Sequence, residues 1–178
     1  MDQFAGHILI LSGSPGSGKT TTAETLARQP GLPKVHLHTD DFWGYIKYGH
    51  IDPWLPEAAE QNQMIMEIAA GVARRYAEAG YFVALDGVIG PWSLAPYQAL
   101  DMPVHYVVLR PLVAEAVARC QARGGDSLTD PLVVADVYAM FADLGDYRHH
   151  VLPTDGMDRD QTLAAVDAAL RSGAYRLA

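Results

Sequence analysis

The chain has 178 residues, 49% of them hydrophobic and 19% charged, which fits a single globular domain burying roughly two thirds of its unfolded surface rather than a disordered segment. A formal net charge of −8 disfavours a broad nucleic-acid-binding face, and a single cysteine, Cys120, rules out a disulfide within the chain. No apolar run approaches the ~20 residues of a membrane-spanning helix, and Asp2 with no basic segment around it does not read as a secretory leader, so the cytoplasm is the expected compartment.

In chain order, the first element is the aliphatic run Ile8-Leu9-Ile10-Leu11, a short buried strand. It leads directly into Gly13-Ser14-Pro15-Gly16-Ser17-Gly18-Lys19-Thr20, which fits G-x-x-x-x-G-K-[ST], the phosphate-cradling loop of nucleoside-triphosphate enzymes. The motif requires a strand before it and a helix after it. Thr21 to Arg28 supplies the helix. Gly13, Gly16 and Gly18 permit positive φ and let backbone N–H groups come close to phosphate oxygens. The start of the following helix adds unpaired N–H groups and a positive dipole end. Lys19 is a mobile charge for the β- and γ-phosphates, and the Thr20 hydroxyl is a hard oxygen ligand for Mg²⁺.

The breaker cluster Gln29-Pro30-Gly31-Leu32-Pro33 precedes a second strand, Val35 to Thr39, ending at Asp40-Asp41. His36 and His38 share one face of that strand. With no third ligand nearby they are read as partly buried strand residues rather than a metal pair. Phe42 to His50 is aromatic, glycine-punctuated and non-periodic, closed by Pro53-Trp54-Leu55-Pro56. Glu57 to Ala79 is the clearest helix, with Ile65, Ile68, Val72 and Tyr76 at helical spacing and Gly80 as its stop. Tyr81 to Leu85 is a third strand capped by Asp86-Gly87, and Val104 to Leu109 a fourth ending at Arg110-Pro111. A helix from about Val113 to Ala122 breaks at Gly124-Gly125, a further piece follows Pro131 from about Leu132 to Leu144, His150 to Leu152 is a fifth strand, and Arg159 to Arg171 is the last helix. Strands alternating with helices imply a parallel sheet covered on both faces, with ligands at the carboxyl ends of the strands. The phosphate loop, Asp40, Asp86, Arg110 and Pro153 then fall along one sheet edge.

Moving a γ-phosphoryl group needs charge neutralisation and a positioned acceptor more than covalent chemistry. Lys19 and Mg²⁺ supply part of the charge. Arg119 and Arg123 lie four apart on one helix face before the glycine pair, so a lid over about residues 124–131 would carry Arg123 onto the phosphoryl group. As adjacent strand-end residues Asp40 and Asp41 are expected to point to opposite sides, and Asp40 is taken as the carboxylate that aligns, or accepts the proton from, an acceptor hydroxyl. Asp86 is read as a Mg²⁺ partner acting through water, or as a substrate-contacting or structural residue. Gly87 follows it, where a hydrolytic ATPase would carry a water-activating glutamate. Phe42, Trp43, Trp54 and Trp92, with Lys47 or His50 as polar handles, are the candidate walls of an acceptor pocket.

Together, the loop Gly13 to Thr20, the strand ends Thr39-Asp40-Asp41-Phe42-Trp43 and Leu85-Asp86-Gly87, the Arg119/Arg123 pair and Val151-Leu152-Pro153-Thr154-Asp155-Gly156 resemble the small P-loop kinases of the nucleoside-monophosphate-kinase-like group. The closer likeness is to chloramphenicol phosphotransferase-like and related AAA-type kinases, over nearly the whole chain. The resemblance implies a three-layer α/β P-loop fold with a five-stranded parallel sheet in the order 2-3-1-4-5. It also implies Asp40 as base, Arg119 stacked on adenine or touching phosphate, and a late loop at Pro153 bordering the base. No N-K-x-D guanine signature is present, so ATP is the expected donor. The expected activity is ATP- and Mg²⁺-dependent transfer to a hydroxyl of a small molecule. An ATP-binding switch protein and a nucleotide-sugar or polynucleotide kinase stand as alternatives.

Overall fold

The computed structural model describes residues 2–123 and 129–177. Five strands, β1 (Ile8–Ser12), β2 (Lys34–His38), β3 (Phe82–Asp86), β4 (Val104–Arg110) and β5 (Val151–Pro153), form one parallel sheet in the order β2-β3-β1-β4-β5. The helices are α1 (Lys19–Arg28), α2 (Asp40–Gly44), α3 (Ala59–Glu78), α4 (Ala95–Gln98), α5 (Val113–Arg123), α6 (Pro131–Met140) and α7 (Arg159–Ser172). Every residue of β1 and β3 is buried, which is why both read as unbroken apolar runs rather than alternating ones.

Alternate residues of the strands feed two cores. Ile8, Ile10, Val83, Leu85, Tyr106 and Val108 meet α3 on one face. Leu9, Leu11, Phe82, Ala84, Val107 and Leu109 meet α1 and α7 on the other. This is the three-layer architecture expected, in the strand order expected.

Two local expectations are corrected. The buried stripe of α3 consists of Ile65, Met66, Ala69, Ala70, Ala73 and Ala77. Ile68 is 44% and Tyr76 39% exposed. The alanine side wins because small side chains let a helix axis approach a sheet closely, and the bulkier Ile68 and Tyr76 turn outward. The helix also begins later than Glu57, since Pro56–Ala58 form a single 3-10 turn ahead of it.

The second correction concerns Asp40. The second strand stops at His38, Thr39 already has helical dihedrals, and Asp40 and Asp41 open the short helix α2 rather than close a strand. Carboxylates suit the first turn of a helix, where the dipole end is positive. The two side chains therefore diverge by about 100° around a helix axis, not by the 180° of a strand. Five residues containing Phe42 and Trp43 are too few to show helical periodicity, which hid α2 in the sequence. Of the expected lid, residues 124–128 lie outside the described residues. At its far end Asp130 caps α6 by accepting from the Leu132 N–H at 2.9 Å.

Among the described residues no helix is long and apolar enough to cross a membrane.

Candidate active site

The loop between β1 and α1 is shaped by contacts that only glycine permits. Gly16 has φ +76°, and a Cβ there would run into the backbone of Ala116 in α5. Gly13, at φ +138°, would meet the Leu109 carbonyl oxygen of β4. The loop is thus pressed against β4 on one side and α5 on the other, leaving its N–H groups for the open side. Gly18, at φ +94°, caps α1 without a side-chain hydrogen bond of its own. Inside the loop the hydroxyl oxygens of Ser14 and Ser17 are buried and have no partner in the protein. Buried polar atoms are normally paired. A phosphate oxygen would pair these, and the cradle fits a triphosphate on that ground.

Lys19, the first residue of α1, is 9% exposed. Its Nζ donates only a long bond, 3.4 Å, to the Ser14 carbonyl. Burial lowers its pKa, opposed by the negative charges of Asp86 and Asp40 and reinforced by the positive charge of Arg123. That combination is an ammonium short of a counter-charge, at the point where a polyanion would supply it. Asp40, Asp86 and Arg123 thus all lie within electrostatic reach of Lys19. Thr21, next along α1, is half-buried, and Arg123, the last residue of α5, is exposed.

Asp86 is the buried centre of the site, its side chain fully shielded from solvent. Its Oδ2 accepts from the Thr20 hydroxyl at 2.6 Å. Its Oδ1 faces His36 Nε2 at 2.5 Å, and His38 Nδ1 lies 3.2 Å from both oxygens. Burial opposes the charge, but hydrogen bonds from His36, His38 and Thr20 outweigh it and hold the carboxyl well below the ordinary carboxylate range. An ionised carboxylate only accepts, so His36 carries a proton on Nε2 and His38 on Nδ1. The other nitrogen of His38, Nε2, sits 3.4 Å from Asp40 Oδ2. The hydrogen bond to Asp86, against the cost of burial and helped by the charges of Asp86, Asp40 and Asp41, raises the pKa of His38.

The two histidines are half-buried strand residues, as expected, but the sequence reading missed what they do. With β2 beside β3 in parallel register, His38 stands opposite Asp86.

Because Thr20 gives its proton to Asp86, the lone pairs of its oxygen are free for a cation on the phosphate side. No group of three or more His, Cys, Asp or Glu among the described residues could hold a metal alone. Mg²⁺ takes one or two protein oxygens and completes its shell with phosphate oxygens and water. Thr20 and Asp86 fit such an ion.

Further along the sheet edge, the Arg119 guanidinium donates to the Met157 carbonyl at 3.3 Å and to Glu115 at 3.4 Å, while Glu115 accepts from the Gly156 N–H at 3.0 Å. Arg119 and Glu115 thus hold the loop that follows Pro153. In that loop the Thr154 hydroxyl is buried without a partner, and Pro153 itself is exposed.

On the acceptor side, Phe42 and Trp43 pack against the α3-side core, and the Trp43 indole N–H donates to Asn62 at 3.1 Å. Asn62 in turn donates to the Pro53 carbonyl, and Gln61 bridges the Ile51 N–H and the Gly49 carbonyl. The first turn of α3 therefore fastens the segment from Gly49 to Pro53, a role for Gln61 and Asn62 absent from the sequence reading. Lys47 donates to the Gly44 carbonyl, at the last residue of α2, at 2.6 Å. Trp54 is 76% exposed, and Trp92 lies against Phe141 with ring centroids 5.8 Å apart. Phe42 and Trp43 belong to the core edge, and Trp54 and Trp92 stand at the surface.

The AAA domain family profile matches residues 8–143. Among curated proteins the chain is similar to a cytidylate kinase of Pyrobaculum calidifontis, 38% identical over 111 residues covering 62% of this chain and 59% of that one. A cytidylate kinase of Pyrobaculum aerophilum is 33% identical over 135 residues, 70% of this chain and 65% of that one, so the chain spans about three fifths of the length of these relatives. Among solved structures, a gluconokinase from Sinorhizobium meliloti 1021 shares the fold with a TM-score of 0.70 at 17% identity, covering 96% of this chain and 94% of that one. The fold, the phosphate loop and the family match agree: the chain belongs to the AAA domain family, as a small P-loop protein of the nucleoside-monophosphate-kinase-like group.

Proposed function

We propose that this chain is an ATP- and Mg²⁺-dependent phosphotransferase that moves the γ-phosphoryl group to a hydroxyl of a small molecule. The observation carrying the reading is the convergence of Lys19, Thr20 bonded to Asp86, and Asp40 at the carboxyl ends of neighbouring strands. Loop N–H groups with Lys19 bind the triphosphate. Thr20 and Asp86 would hold Mg²⁺, which when bound neutralises charge on the phosphate oxygens. Asp40 orients the acceptor hydroxyl and takes its proton as that oxygen bonds to the γ-phosphorus. The bond from phosphorus to the bridging oxygen breaks, and ADP leaves with that oxygen. Arg123 adds positive charge near Lys19, and Arg119 keeps the late loop in place beside the nucleotide.

The acceptor half favours an uncharged substrate. From Arg28 to Arg74 the chain contains no arginine, and its only lysines there are Lys34 and Lys47. Lys34 is hydrogen-bonded to the Gln29, Pro30 and Leu32 carbonyls and Lys47 to that of Gly44. Recognition of a phosphate monoester usually relies on guanidinium forks or free ammonium groups. A cytidylate acceptor, as the relatives' name indicates, is the second reading, and it would have to draw its cations from outside that segment.

A phosphoryl-transfer screen of sugars, nucleosides, antibiotics and cytidine monophosphate, with Lys19→Ala as the blank, tests both readings. Transfer to an uncharged alcohol supports the first, and transfer to cytidine monophosphate alone supports the second. ATP binding without transfer to any hydroxyl would point to a switch protein instead.

A further inference from the structure

We infer that His36 and His38 are positioning residues that fix the Asp86 carboxylate for Mg²⁺-dependent nucleotide binding, and that His38 ties this metal-side carboxylate to Asp40. The inference rests on the kinase reading above and assigns to β2 a function that its half-buried histidines would not otherwise have.

The geometry supports it in three steps. A carboxylate buried at the end of β3 could rotate about its final torsion and present either oxygen to Thr20. His36 Nε2, at 2.5 Å, removes that freedom by engaging Oδ1 from the neighbouring strand, and His38 Nδ1, 3.2 Å from both oxygens, braces the carboxylate as a whole. The oxygen left for Thr20 is then Oδ2, and the 2.6 Å bond there sets the direction of the Thr20 lone pairs.

Strand register makes this pairing rigid. His38 lies opposite Asp86 and His36 opposite Ala84, so both imidazoles rise from the same face of β2 toward one carboxylate. Gly87, next along β3, is so close to Thr39 that a Cβ would overlap the threonine side chain, and the Thr39 N–H donates to the Asp86 carbonyl at 2.9 Å. The ends of the two strands are thereby clamped together just where the imidazoles bridge them.

Finally, His38 has a second nitrogen, facing Asp40 at 3.4 Å on the first turn of α2. One ring thus spans the carboxylate of the donor half and the carboxylate of the acceptor half. Movement of either is transmitted through the ring to the other.

The test is isothermal titration of ATP with and without Mg²⁺ into wild-type protein and into His36→Phe, His38→Phe, His38→Asn and His38→Gln variants. Metal-free ATP binding, which depends on the loop and Lys19, reports that each variant is folded. Loss of a partner that orients a metal-side ligand typically weakens metal affinity about 10- to 100-fold. His36→Phe and His38→Phe are expected to lose most of the Mg²⁺ enhancement of ATP affinity while metal-free binding stays within about twofold of wild type.

His38→Asn keeps an N–H at the reach of Nδ1 and is expected to recover the Mg²⁺ effect; His38→Gln keeps only the reach of Nε2 and is not. Should a phenylalanine variant fail to fold, the Asn and Gln variants make the same contrast. Full Mg²⁺ enhancement in the phenylalanine variants, or equal behaviour of Asn and Gln, would overturn the inference and leave the kinase reading standing. Absence of ATP binding in the wild-type protein would remove both.

Discussion

The Thr20 hydroxyl donates a hydrogen bond to Asp86 across 2.6 Å, joining the first turn of α1 to the last residue of β3. The two positions are far apart in sequence and meet because β1 and β3 are parallel neighbours, with Leu11 level with Asp86. Around that bond the site divides. Lys19 and the loop amides form the donor side, and Asp40 with α2 begins the acceptor side.

Lys19→Ala is expected to lower phosphoryl transfer by about a hundred- to a thousandfold, the usual cost of removing one preorganised charge-stabilising group. It also removes a buried ammonium with no short hydrogen bond, so the melting temperature without nucleotide should hold or rise. Transfer assays alongside thermal denaturation check the pair. A parallel fall in both would mean that Lys19 is mainly structural.

Gly16→Ala tests the packing of the loop against α5. The positive φ and the collision with Ala116 both oppose a side chain there. A residue forced into such a conformation costs on the order of 1–3 kcal/mol. We expect a lower melting temperature and weaker ATP binding together. Gly49→Ala is the control, since it also has positive φ but nothing within reach of a Cβ. It should lower stability modestly and leave ATP affinity unchanged.

The far end of the sheet supplies a pH prediction independent of the active site. His105, 3% exposed on β4, faces His7 at 3.0 Å and has a buried Nδ1 with no partner. Burial, with the charges of His7 and Arg176, pushes its pKa down to about 4. An unfolded histidine titrates near 6.5, at about which pH the unfolded chain starts to take up a proton that the folded chain refuses. Stability should therefore fall as pH drops from about 6.5 toward about 4 and then level off with respect to this group. His105→Phe, beside Phe4 on the apolar side of β4, should flatten that part of the profile in denaturant titrations taken at several pH values. An unchanged slope would show that other groups govern the acid limb.

Much of the fold was legible because its strongest signals are physical ones. The unbroken apolar runs of β1 and β3 reflect burial on both faces, and Gly13, Gly16 and Gly18 mark a loop that needs positive φ. Helix α2 was not legible, since five residues carry no period and Asp40-Asp41 read equally as a strand end. The buried face of α3 was misread because alanine gives little hydrophobic contrast against Ile68 and Tyr76.

In the site, Lys19, Thr20 and Asp86 came from local motifs. The role of His36 and His38 depends on register with a strand almost fifty residues away, which no local window contains. The acceptor residues were the least legible. Aromatic side chains serve core and pocket alike, and Phe42 and Trp43 proved to be packed at the core edge.

Asp40 is exposed at the start of α2 and tied through His38 to Asp86. The decisive measurement is kcat and ATP affinity for Asp40→Asn with whichever hydroxyl compound the wild-type protein phosphorylates best. General-base assistance contributes about 10²–10⁴ in rate, so kcat should fall by that order while ATP affinity stays near wild type. A kcat close to wild type with the same acceptor would show that Asp40 neither aligns nor deprotonates it, and would contradict the account.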